Sequence, residues 1–173
     1  MRKLILFVVA FCAVLSAISQ PFSRKDSLRG NLTSIRTCYD VTFYDLFLII
    51  DIPEKAIERS YNEIHFEAIT DFNHFQIDMA NNMDVMLIEF EEGELEFNRE
   101  FDAVYVYFPR TIKKGEQAKI KVWYGGYPME AINPPWDGGF SWEKDENEKD
   151  WIGVSCQGLG ASTWWPCKDH QSD

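Results

Sequence analysis

Apolar and polar residues alternate along most of this chain, in short runs separated by turn residues. "YDVTFYDLFLIID" (39–51) is rich in aromatic and branched residues and stops before Pro53. In "IERSYNEIHFEAIT" (57–70), Ile64, Phe66 and Ala68 alternate with His65 and Glu67. In "FNHFQIDM" (72–79), Phe75, Ile77 and Met79 share one face. "MDVMLIEF" and "ELEFN" surround Glu91-Glu92-Gly93, a hairpin-turn signal. "FDAVYVYFP" (101–109) sets Val104, Val106 and Phe108 against Tyr105 and Tyr107. "AKIKVWYGG" (118–126) sets Ile120, Val122 and Tyr124 against Lys119, Lys121 and Trp123. A period of two puts successive side chains on opposite faces of a strand. No window carries a run at helical spacing. The pattern predicts an all-β fold, a twisted antiparallel β-sandwich or saddle.

Two regions depart from the alternation. Residues 20–38 are polar and aperiodic, and read as an unpacked lead-in. From Tyr127 onward, "NPPWDGGFSW" combines prolines, glycines and tryptophans, which predicts rigid loop rather than strand. The charge run "EKDENEKD" (143–150) reads as a solvated hairpin tip. It lacks the D-x-[DN]-x-[DN]-G order of a calcium loop.

The amino terminus changes the picture of the mature chain. "MRKLILFVVAFCAVLSAISQ" begins with Arg2 and Lys3, runs apolar from Leu4 to Leu15, and closes on Ala17-Ile18-Ser19. That is a signal-peptide pattern, residues 1–19, and it predicts a secreted or periplasmic protein. A stable spanning helix needs roughly 20 apolar residues, so no stable membrane span is expected. Cleavage leaves about 154 residues, enough for one cored domain, here residues 39–173 after the lead-in. It removes two cations and no acid, moving the formal charge from −11 to −13. Such a surface repels phosphate backbones, and nucleic acid is excluded as a partner. Three cysteines remain, Cys38, Cys156 and Cys167. That number fits buried thiols, or one bridge with an odd partner, better than a disulfide framework.

Chemical motifs are sparse. Cys156 and Cys167 lack the close pairing of a structural zinc site, and no two histidines stand as H-E-x-x-H requires, so no metal is assigned to this chain. "GLGAST" has Gly158 and Gly160 but Thr163 where a third glycine is needed, and no helical pattern follows. His65 and His74 lie in strands, with no spacing that pairs them with Cys156 or Ser162. Trp136, Trp142, Trp151, Trp164 and Trp165 crowd the last third of the chain. They predict packing payload first, and a carbohydrate- or protein-binding module as the rival function.

One resemblance orders these features. "PPWDGGFSW" followed by "WIGVSCQGLGASTWWPCKDHQSD" resembles the aminopeptidase N family of zinc metallopeptidases, the gluzincins that include leukotriene hydrolase. The upstream order, "YDVTFYDLFLIIDIPEKAIERSYNEIHFEA", "FQIDMANNMDV" and "VYVYFPRTIKKGEQAKIKVWYGG", is similar to the family's N-terminal saddle domain. The resemblance implies that zinc belongs to a following thermolysin-like domain carrying H-E-x-x-H, a motif absent here. This chain would then hold no catalytic residue and no cofactor, and would not hydrolyse peptides alone. It also implies that Gln157 and Gly158 lie beside the free α-amine of a peptide substrate, with Ser155, Cys156, Trp164 and Trp165 supporting their loop. An ammonium has three donors and no acceptor, and the Gln157 amide oxygen suits it.

Overall fold

The computed structural model describes residues 22–172, so the signal peptide read from residues 1–19 lies outside them. Two short helices lead in, α1 (Arg24–Gly30) and α2 (Ser34–Thr37). The strands that follow are β1 (Tyr39–Phe47), β2 (Ile50–Asp51), β3 (Ala56–Ala68), β4 (Phe72–Asp78), β5 (Met83–Phe90) and β6 (Gly93–Glu94). Next come β7 (Glu96–Glu100), β8 (Ala103–Ile112), β9 (Gln117–Gly126), β10 (Gly139–Lys144) and β11 (Asp150–Ser155).

Strands β1-β3-β9-β5-β6 form one sheet, with β2 beside β3; β4-β8-β7 form a second; β10 and β11 form a separate hairpin. Every pairing is antiparallel. The all-β expectation holds, with two open sheets rather than a closed barrel.

The alternation places one face of each sheet inward. Ile64, Phe66, Ile88, Ile120, Val122 and Tyr124 come from the larger sheet, and Phe75, Ile77, Val104 and Val106 from the smaller; each is at most 1% exposed. Phe66 meets Phe75 edge-on across the interface at 5.3 Å, and Phe90 meets Phe108 at 5.0 Å. Burying each such ring stabilises the fold by about 1.5–3 kcal/mol. Burial of this kind holds the two layers together.

Three sequence expectations need correcting, and a fourth, the hairpin turn at Glu91-Glu92-Gly93, holds over a short span. The described part of that lead-in, residues 22–38, is not unpacked. Ser23 caps α1 in a reciprocal capping box with Asp26, and Arg36 of α2 is fully buried. A seven-residue helix with no buried residue has no apolar stripe to betray it. The hairpin expected between "MDVMLIEF" and "ELEFN" is only two pairs deep. After Leu95 the chain crosses to the smaller sheet, and β7 pairs with β8. "GFSW" is strand, not loop: Phe140 and Trp142 turn toward the core within β10, and the neighbouring glycines mask the alternation. Finally, Cys38 and Cys167 are buried thiols, but Cys156 is exposed. Burial pushes the Cys38 thiol up to about 11. The charge run after Glu143 does close a hairpin tip, Lys144 pairing with Asp150.

Candidate functional site

After β11 the chain turns back onto β1, β3 and β4. Asp78 donates its backbone N–H to the Cys167 carbonyl at 2.7 Å, and Cys167 returns the bond at 3.1 Å. Ala80 N–H donates to the Ser162 carbonyl at 2.8 Å. The tail thus covers part of the free edge of β4, an edge that would otherwise invite association. Asn62 of β3 donates its side-chain amide to the Pro166 carbonyl at 2.7 Å. Lys168 donates its backbone N–H to the Tyr44 hydroxyl at 3.1 Å and its ammonium to the Tyr39 carbonyl at 2.9 Å. One segment is therefore bonded to β1, β3 and β4 together.

Asp78 is the charged centre of this assembly. Its carboxylate accepts from Arg36, from the Gln76 amide at 2.9 Å and from the Asp169 N–H at 3.0 Å. Burial pushes the Asp78 carboxyl above the usual carboxylate range, while Arg36, Gln76 and the Asp169 N–H pull the other way. Arg36 also donates to the Arg29 carbonyl at 3.0 Å, and Gln76 to the Leu28 carbonyl at 3.1 Å, which draws α1 against the same spot. The signal for this was present. Gln76 and Asp78 alternate with Phe75 and Ile77 in the second half of β4, where both faces are buried, so polar partners had to lie on their side.

The residues singled out in the sequence separate into two groups. Trp164 and Trp165 pack as expected, Trp164 against Phe140 at 6.0 Å and Trp165 edge-on to Tyr44 at 4.9 Å. Ser155 ends β11 opposite Gly139. Cys156, Gln157 and Gly158 form an exposed turn beyond it, closed by Leu159 and Gly160 N–H groups that both donate to the Cys156 carbonyl, at 3.1 and 3.0 Å. Gly158 has φ +69° with open space around its Cα, so backbone conformation alone asks for glycine there. Gly160 has φ +75°, and a Cβ on it would overlap the Asp169 carboxylate. Gly158 and Gly160 line a hollow of about 610 Å³ together with Arg29, Gly30, Asp169 and His170.

The donors of the described residues do not fit a zinc ion. Among the described residues no three His, Cys, Asp or Glu side chains gather as a metal site. His65 bonds Glu63, His74 bonds Asn73, and His170 bonds Ser172. Among the described residues no helix is long and apolar enough to cross a membrane.

No family model matches the chain, and no curated protein matches it. Solved structures do. A mutant of an M1 zinc metallopeptidase from Deinococcus radiodurans, bound to a Tyr-Ser-Ala substrate, superposes with TM-score 0.62 at 21% identity, over 79% of this chain and 31% of that one. A two-domain M1 zinc metallopeptidase mutant bound to L-tryptophan gives 0.61 at 21%, over the same shares. Leukotriene A4 hydrolase from Saccharomyces cerevisiae gives 0.60 at 12%, over 87% of this chain and 24% of its own. This chain spans less than a third of the length of these enzymes, and within that span it has the fold of the M1 zinc metallopeptidases.

Proposed function

We propose that this chain is the non-catalytic amino-terminal domain of a secreted zinc aminopeptidase, and that its Cys156–Gly158 turn forms one wall of the active site. The supporting observation is the contrast in exposure: Gln157 and Gly158 are exposed at the tip of a segment whose following residues are buried and bonded to several strands. The described residues do not fit zinc, so the metal and the bond-breaking chemistry belong to a partner domain. The two-domain organisation named for a structural neighbour supports such a partner.

The role of this chain's residues is recognition. The Gln157 amide oxygen accepts a hydrogen bond from the substrate's terminal ammonium, and a neutral amide is cheaper to desolvate than a carboxylate. Gly158 carries no side chain beside it and keeps the approach open. A peptide with a blocked amine offers fewer donors and no charge, and binds less well. The coding sequence that follows Asp173 tests the reading: H-E-x-x-H with a downstream Glu is expected, and an unrelated domain or an immediate stop overturns it.

Exposure of Trp136 (80%) and Trp151 (65%) supports a second reading, a β-sandwich that binds glycans or a protein through these rings. Trp142, Trp164 and Trp165 are half-buried against the core and unavailable to it. Titrating oligosaccharides while following tryptophan fluorescence separates the readings. A saturable shift favours the second, and a flat response removes its glycan form.

A further inference from the structure

The Gln157–Gly158 turn carries few bonds of its own, so something outside it must set where its tip points. Its leading end is fixed by β11, through Ser155 opposite Gly139. Its trailing end is Gly160, whose carbonyl accepts the Thr163 hydroxyl at 2.7 Å and whose Cα abuts the Asp169 carboxylate. That carboxylate accepts the Ser162 hydroxyl at 2.6 Å and lies 3.3 Å from the Ser162 N–H. Its own backbone N–H is bonded to buried Asp78. Asp169 is thus in contact with both the trailing end of the turn and the buried centre of the assembly.

We propose that Asp169 is the positioning residue for the Gln157–Gly158 turn, and that Arg29 on α1 sets the charge it feels. The Arg29 guanidinium lies 3.8 Å from the Asp169 carboxylate, too far for a hydrogen bond but close enough for charge to act in a half-buried hollow. The absence of a Cβ at Gly160 lets the carboxylate reach the turn backbone. Through this contact the lead-in helix bears on the setting of the tip. The proposal rests on the amine-recognition reading, but its first test does not.

Amide spectra of the 15N-labelled chain provide that test. Asp169→Ala should shift the Gln157, Gly158 and Gly160 amide resonances and leave those of Ile64 and Val122 in place. Ser162→Ala, a milder loss on the same bond, should shift the same set less, which keeps the test valid if Asp169→Ala does not fold. Asp169→Asn retains an acceptor oxygen and should restore most of the wild-type pattern. Turn resonances that stay put in the folded Asp169 and Ser162 variants overturn the proposal. In the full-length protein, Asp169→Ala should raise KM for Tyr-Ser-Ala about tenfold while changing kcat less, a loss equal to one charge-assisted hydrogen bond. Shifted resonances with unchanged KM would uphold the positioning contact and overturn the amine-recognition reading. Unshifted resonances with a KM that rises in Gln157→Ala would do the reverse.

Discussion

Cys156–Gly158 and Ser162–Lys168 are neighbours in sequence and opposites in setting. In the first stretch all three residues are exposed, and the turn is closed by its own backbone. In the second, Ser162, Thr163, Pro166, Cys167 and Lys168 are buried, and the segment is bonded to three strands from two sheets. Thr163 of the second stretch donates its hydroxyl to the Gly160 carbonyl at the trailing end of the turn, at 2.7 Å. An exposed polar tip on a buried root is how a loop can meet a ligand while losing little entropy on binding, since the ordering was done during folding.

The comparison can be broken at the root first. Asp78→Ala should cost about 3–5 kcal/mol, because Arg36 would remain buried without its carboxylate. Urea unfolding followed by circular dichroism measures it; a loss near zero would mean that the root is not held there. Asn62→Ala should cost less, about 1–3 kcal/mol, by stranding the buried Pro166 carbonyl, and the same melt reads it. At the tip, Gly158→Ala should cost about 1–2 kcal/mol, all of it from φ +69°, since nothing crowds its Cα. A larger loss would show that the tip is packed after all. The smallest effect is chemical. Iodoacetamide should label Cys156 in the folded chain and reach Cys38 and Cys167 only on unfolding, as peptide mass mapping would record. Equal labelling of all three would erase the contrast between tip and root.

The strands were readable because burial on one face imposes a period of two, which β3 displays unbroken from Ser60 to Ala68, β9 from Gln117 to Tyr124 and β8 from Val104 to Pro109. What escaped the pattern escaped for physical reasons. α1 is too short to show a stripe and buries none of its residues, so only its capping pair, Ser23 and Asp26, marks it. The change of sheet at Leu95 depends on which long-range partner wins, and both strands look alike locally. The Arg36–Asp78 pair joins residues 42 apart, with no local trace except a polar alternation in β4. Gln157 carries no signal of its own in charge or spacing. Its candidacy comes from resemblance alone, and the structure adds its exposure and the buried, bonded segment that follows it.

We propose that the Gln157 amide oxygen recognises a peptide's free amine. Comparing KM for Tyr-Ser-Ala in the full-length protein and its Gln157→Ala and Gln157→Glu variants tests it most directly. Gln157→Ala should raise KM about tenfold, one lost hydrogen bond to a charged group. Gln157→Glu, which supplies an acceptor with charge, should not raise it. An alanine variant with wild-type KM, folded by circular dichroism, would rule that recognition out.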